Sequence, residues 1–159
     1  MTAIAYRDGI LATDRQVSWG DSTSATKKIH FVRVAGMGPC IVALSGYVWG
    51  EEKILDQLKE FTEGTGQDIG EMARQSCYGF LITRNLQVHR IYGDGRVGLP
   101  ELPEVPYFAE GSAHSFLLGA MSYGATAEEA VKLACQHCNY CGHGVDVLDV
   151  KAYLSEVHV

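Results

Sequence analysis

Residues 2–14, TAIAYRDGILATD, restrict the fold more than any other stretch: two apolar runs, Thr2–Tyr6 and Ile10–Asp14, flank Arg7-Asp8-Gly9. The pattern predicts a tight β-hairpin, because Asp-Gly supplies the positive φ that a short antiparallel connection needs. Two turns fit the letters. A two-residue Asp8-Gly9 loop pairs Arg7 with Ile10 and leaves Thr2 and Asp14 on opposite faces of the sheet. A three-residue loop closed by Gly9 pairs Tyr6 with Ile10 and sets Thr2 across from Asp14, with Cβ atoms about 5 Å apart. The second turn is expected, because it joins a hydroxyl to a carboxylate. Apolar residues fall on both faces of these strands, so the sheet is expected to be covered on both sides.

Position gives Thr2 its interest. It follows Met1 and is small enough for the methionine to be removed. The new terminus would carry a nucleophilic hydroxyl beside an α-amine whose pKa of about 7.7–8.0 leaves part of it neutral at pH 7. An N-terminal threonine that uses its own amine as general base is one way to activate a weak hydroxyl. The dipeptide alone is weak evidence, since many chains begin with it.

Downstream, Gln16–Ser24 is polar and turn-rich and reads as a loop. Thr26–Val34 and Pro39–Leu44 read as strands, and Val48–Thr62 as a helix with Val48, Ile54, Leu55, Leu58 and Phe61 on one face. Gly64–Gly70 reads as a loop and 68–75 as a short helix. Cys77–Ile82 and Leu86–Tyr92 are expected strands, followed by a long connection over 93–106 that holds all but one of the four prolines. Val105–Glu110 reads as a strand and Gly111–Tyr123 as a helix of small residues. Thr126-Ala-Glu-Glu129 is a capping box opening a helix to about Cys138. Val145–Val150 is a final strand, with a tail from Tyr153 to which no chemistry is assigned. This order predicts an α+β chain forming one domain over residues 1–159, with two sheets stacked between helix layers.

Hydrophobic residues at 47% and charged residues at 20% are ordinary for a folded domain. A net charge of −6 argues against a nucleic-acid partner. No basic leader precedes an apolar segment and no apolar run reaches membrane-span length, so a cytoplasmic protein without a membrane partner is expected. Five cysteines, an odd number, suit a reducing compartment better than a disulfide framework.

Three segments, TAIAYRDGILATDRQ (2–16), TKKIHF (26–31) and GSAHSFLLGAMSYGATAEEAVKLA (111–134), resemble β-type proteasome subunits and their bacterial relatives, HslV and the short bacterial and phage proteasome-like peptidases. The likeness keeps its order over nearly the whole chain. It implies the four-layer αββα sandwich of N-terminal-nucleophile hydrolases and a threonine-type endopeptidase that cuts peptides or unfolded proteins inside a homo-oligomeric ring or stacked rings. An ATP-dependent unfoldase is the implied partner. The first hairpin is shorter than the family's by an even number of residues, which keeps residues 2 and 14 on one face.

By the same likeness, Thr2 is the nucleophile, and Lys28 is its electrostatic partner, held charged by Asp14. Lys27 and Lys28 are expected on opposite faces of a strand; the bland alternative is a surface lysine pair. The backbone N–H of Ala43, in Ala43-Leu44-Ser45-Gly46, stands where relatives place an oxyanion donor. Ser112 matches a serine that binds the terminal amine, and could equally cap the following helix. The substrate side-chain pocket falls on Val17, Thr26, His30, Ile41 and Ser45. His89, His114 and His158 show no demanding spacing.

The family's aspartate and hydroxyl after the last large helix are replaced by Cys138 and Cys141. Cys135, Cys138, Cys141 and His143 carry zinc-ligand chemistry without the usual distant second pair of ligands. In relatives such as HslV this turn binds a cation through backbone carbonyls, which places a sodium or magnesium ion at Cys135, Cys138 and Cys141. Inert buried cysteines are the plain alternative. No cofactor is required. A fold-retaining assembly protein without turnover and a small-molecule amidase are the competing functions.

Overall fold

The structure, a computed structural model, describes residues 2–46, 48–59, 77–92, 97–101 and 106–157, without the side chains of 48–50, 53 and 57. The first hairpin consists of β1 (Ile4–Arg7) and β2 (Ile10–Asp14). Its register corrects the expected one: Arg7 pairs with Ile10 and Tyr6 with Leu11. Asp8 (φ 52°) and Gly9 (φ 81°) both adopt left-handed backbone. That is the mirror-image two-residue turn whose twist matches the strands it joins, and Asp-Gly favours it over the three-residue loop. Thr2 therefore does not sit directly across from Asp14.

The chain forms two compact units, Met1–Ile29 with Pro103–Asp149 and His30–Leu102 with Val150–Val159. In the first unit, β10 (Tyr107–Glu110), β1, β2 and β11 (Val145–Asp149) form an antiparallel sheet in that order. Two helices, α2 (His114–Ser122) and α3 (Ala127–His137), cover one of its faces. The contact surface is rich in alanine (Ala3, Ala5, Ala12, Ala109, Ala113, Ala127, Ala130, Ala134), filled out by Leu117, Met121 and Val131. Small side chains on both sides let helix and sheet backbones approach closely, and the larger ones close the gaps between them.

Helix α3 starts at the expected capping box. Glu129 N–H donates to Thr126 Oγ1 at 3.1 Å, and Thr126 N–H donates to Glu129 Oε2 at 2.9 Å. Helix α2 starts later than expected, at His114, because Gly111 has a φ of 96° that no helix accommodates. Arg7 binds the far end of α2, donating from Nη1 to the carbonyls of Met121 (2.6 Å) and Ala125 (3.1 Å). One arginine thus ties the first hairpin to the α2–α3 connection. The segment read as a loop over Gln16–Ser24 is instead a separate hairpin, β3 (Gln16–Trp19) and β4 (Ser22–Ala25), turning at Gly20-Asp21.

In the second unit, β5 (Ile29–Val34), β6 (Gly38–Ser45), β7 (Tyr78–Thr83), β8 (Val88–Ile91) and β9 (Val97–Pro100) form the other sheet in that order. Helix α1 (Val48–Leu58) puts Ile54 and Leu58 into a core with Val42, Leu44, Leu81 and Ile91. Helix α4 (Val150–Glu156) packs on β6 and buries Val150 and Leu154. Besides β3 and β4, two further elements depart from the sequence expectation: β9 within the proline-bearing connection, and α4 in the tail. The expected loop over 64–70, the short helix over 68–75 and the end of the first helix beyond Lys59 lie outside the described residues. The described elements make an α+β chain with four helices.

Candidate functional site

Asp14, at the end of β2, is completely buried, and so is Lys28, at 2% exposure. Lys28 Nζ donates to Asp14 Oδ1 at 2.7 Å and to the carbonyl of Gln16 at 2.7 Å. Asp14 Oδ1 also accepts from Ala3 N–H at 2.9 Å, while Oδ2 accepts from Gln16 N–H (3.2 Å) and Gly142 N–H (3.1 Å). One carboxylate thus gathers four donors, from the residue just ahead of β1, from its own turn, from the lysine and from the segment after α3. Removing two ions from water costs several kcal/mol each, and only geometry this complete offsets it. Because a buried pair seldom adds net stability over apolar packing, its presence points to a task other than holding the fold.

Lys28 does not lie in a strand. Residues 26–28 form an irregular link between β4 and β5, with Lys27 exposed and Lys28 buried. One lysine faces in and its neighbour faces out, as expected, but the cause is the irregular link, not strand alternation. The link is anchored where Thr26 N–H donates to the carbonyl of Arg15 at 2.8 Å.

Thr2 is 2% exposed. Its main chain is held by the α2 approach: Ala113 N–H donates to Thr2 O at 3.4 Å. Beneath it, Gly111 lies so close that a Cβ there would stand 2.2 Å from Thr2 O and 3.3 Å from Thr2 Cβ. Since Ala3, the next residue, binds the same Asp14 oxygen as Lys28, Thr2 is fixed beside the buried pair through its own peptide bond. Gly111→Ala adds the clash to left-handed strain of about 1–3 kcal/mol. The variant is expected to lose at least that much stability in urea unfolding, and Thr2 must move.

Ser112 is exposed, makes no hydrogen bond to another described residue, and does not cap α2, whose N-cap position is Ala113 with no side-chain cap. Val17 lies in β3 and is half-buried, as is Thr26. Ala43, Ile41 and Ser45 are buried in β6 of the second unit, and His30 is half-buried in β5. The backbone at Ala43 is closely seated: a Cβ on Gly79 of β7 would fall 1.8 Å from the Ala43 oxygen. His30 Nε2 stands 3.6 Å from the buried carboxylate of Glu51.

The five cysteines are free thiols. Cys135 lies in the last turn of α3 and Cys138 is its C-cap. The Cys138 carbonyl already accepts from Cys141 N–H at 3.2 Å, leaving it one lone pair for a cation. Among the described residues no three His, Cys, Asp or Glu side chains converge as a metal site. His143 instead has Nε2 at 2.8 Å from Thr23 Oγ1. Burial pushes the Cys141 thiol up to about 12, with a smaller push from the Asp14 charge, and burial raises Cys40 to about 11. Both therefore stay protonated at neutral pH. Because these values lie above the ordinary 9.0, the thiols support the fold below pH 9 and that support is lost as pH climbs through their folded values. Iodoacetamide at pH 7.5 is expected to leave Cys40 and Cys141 unmodified until denaturant is added, as peptide mass mapping would report.

Three contributors were not foreseen. Gly142 supplies a backbone N–H to Asp14, Gln16 supplies both an N–H to Asp14 and a carbonyl to Lys28, and Gly111 makes room for Thr2. Backbone donors leave no mark in a sequence. Gly111 did carry a signal, a glycine just ahead of a helix beside a conformationally demanding turn.

No protein-family model matches the sequence, and no curated protein does. Solved structures do match. Anbu (ancestral beta-subunit) from Yersinia bercovieri superposes with a TM-score of 0.67 at 16% identity, over 95% of this chain and 84% of its own. Eukaryotic HslV from Trypanosoma brucei matches with a TM-score of 0.62 at 18% identity, over 92% and 97%. Thiobacillus denitrificans BPH in complex with epoxomicin matches with a TM-score of 0.61 at 17% identity, over 92% and 96%. At such identities the likeness establishes the fold, which is proteasome-β-like. Among the described residues no helix is long and apolar enough to cross a membrane.

Proposed function

We propose that the chain is a threonine-type endopeptidase subunit of a proteasome-like, self-compartmentalising assembly. The observation that carries this reading is the buried Asp14–Lys28 pair, which accepts the N–H of Ala3, the residue directly after Thr2. After Met1 is removed, the Thr2 hydroxyl attacks a peptide carbonyl and the Thr2 amine takes its proton. Lys28, paired with Asp14, favours the neutral amine and stabilises the developing alkoxide. The Ala43 N–H receives the oxyanion. The C–N bond breaks, the amine returns the proton to the leaving nitrogen, and water hydrolyses the ester to regenerate Thr2.

The four-layer αββα sandwich belongs to this reading, as do Ser112 near the terminal amine and a substrate pocket of Val17, Thr26, His30, Ile41 and Ser45. So do assembly of like subunits into rings, an ATP-driven unfoldase, a cytoplasmic site of action, and a sodium or magnesium ion on the carbonyls of Cys135, Cys138 and Cys141. Two matched structures support it by name, one a beta-subunit and one a complex with epoxomicin. A non-catalytic assembly protein is favoured by one observation, the exposed Ser112 with no bond to another described residue.

An unfolded-protein digestion separates the readings. Purified assembly incubated with a carboxymethylated protein should release short peptides, with small amides left intact. Small-amide turnover without peptide release would indicate an amidase, and neither would indicate the assembly protein.

A further inference from the structure

We propose that Cys138 and Cys141 form a thiol–disulfide exchange site that takes a small-molecule disulfide and, when oxidised, displaces Gly142 from Asp14. The regulatory part rests on the function proposed above. At Cys138 the chain leaves α3 in an extended conformation (φ −109°, ψ 121°). It then closes a four-residue β-turn through Cys141 N–H to Cys138 O at 3.2 Å. The ends of such a turn lie within about 7 Å Cα to Cα, and a disulfide spans roughly 4.4–6.8 Å. Both side chains pack against one core cluster, Cys141 within it and Cys138, the less buried, at its edge. Cys135 stays behind on the helical turn, so the returning chain offers Cys141 to Cys138.

The turn has no slack on the side of the site. Gly142 N–H binds Asp14 Oδ2 at 3.1 Å, and its carbonyl accepts from Arg15 N–H at 3.1 Å. Gln16 Nε2 donates to the Asn139 carbonyl at 3.3 Å, and a Cβ on Gly142 would meet Gln16 Oε1 at 2.8 Å. A disulfide draws the two Cβ atoms to about 3.8 Å. The contraction passes to Gly142, the next residue, which is tied to Asp14 and Arg15, and lengthens its bond to Asp14.

The chemistry balances with glutathione disulfide as the oxidant. Cys138 thiolate attacks one sulfur, forming a mixed disulfide and releasing one glutathione thiolate. The Cys141 thiol, protonated in the resting protein, then gives up its proton to the released glutathione thiolate, attacks the Cys138 sulfur and releases the second glutathione as thiolate. Two protein thiols lose two electrons and two protons, and one glutathione disulfide becomes two glutathiones. Burial of Cys141 makes the second exchange the slow step.

The test uses the full chain in its native assembly, equilibrated in glutathione buffers from reducing to oxidising. Non-reducing peptide mapping should find Cys138 linked to Cys141, reversed by dithiothreitol. In the linked protein, amide hydrogen exchange at Gly142 should be at least ten-fold faster, and peptide hydrolysis lower by a similar factor. Cys138→Ser should abolish the oxidant-induced change in exchange, and Cys135→Ser should preserve it. A Cys135–Cys138 link, glutathione adducts alone, or unchanged Gly142 exchange in the linked protein would overturn the proposal. If the reduced protein hydrolyses no peptide, the peptidase reading fails on its own, because mapping and exchange still decide the switch.

Discussion

Thr2→Ala is expected to leave a folded assembly whose peptide hydrolysis is lower by at least about 10³-fold, the scale on which removal of a catalytic nucleophile acts. The substitution removes only Oγ and one methyl group. The features that seat the residue are main-chain ones, the Thr2 carbonyl under Ala113 N–H and the close approach of Gly111, and alanine keeps both. The thermal midpoint should therefore change little, corresponding to less than about 1 kcal/mol. Thr2→Ser keeps a hydroxyl and an amine and should retain measurable turnover. A Thr2→Ala protein with unimpaired hydrolysis would remove Thr2 from the chemistry.

The second large effect is on stability. Asp14→Asn replaces an acceptor of four hydrogen bonds with one oxygen and one NH2 group. If the oxygen faces Lys28 and Ala3, the amide hydrogens meet the N–H groups of Gln16 and Gly142. If it is flipped, the NH2 meets the Lys28 ammonium. Either way two donors lose their acceptor at a fully buried position, and the Lys28 ammonium loses its carboxylate partner. Breaking a buried pair from one side costs about 3–5 kcal/mol. For a chain of this size that lowers the melting temperature by roughly 10 °C. Lys28→Met added to Asp14→Asn should recover part of the loss, because no stranded charge remains. A single variant within about 1 kcal/mol of the parent would show that the pair is solvated.

Local signals were the legible ones. The capping box at Thr126 and Glu129 involves groups three residues apart, and both bonds form where the sequence places them. The first hairpin was legible as a hairpin, but its register turned on whether Gly9 alone or Asp8 and Gly9 together take positive φ. Asp-Gly prefers the two-residue turn, and that local preference sets the register. The β3–β4 hairpin was hidden because its strands are mostly polar and bury only Gln16 fully, so no apolar alternation marks it. Helix α4 follows β11 with no breaker between Asp149 and Val150, and the strand pattern runs directly into the helical pair Val150 and Leu154.

The site was legible to the extent that side chains define it. Asp14 and Lys28 meet, but what holds Asp14 in place is largely backbone. Ala3, Gln16 and Gly142 donate main-chain N–H groups, and any non-proline residue carries one. Gly142 reaches Asp14 only because the turn after α3 folds back across the end of the first sheet, a long-range arrangement no local pattern encodes.

Intact mass of the purified protein, before and after an electrophilic threonine-directed inhibitor, tests the central claim most directly. The account predicts a chain lacking Met1 that gains one inhibitor per subunit, mapped to Thr2, with no gain in Thr2→Ala. A chain that retains Met1 and takes up no inhibitor would contradict it.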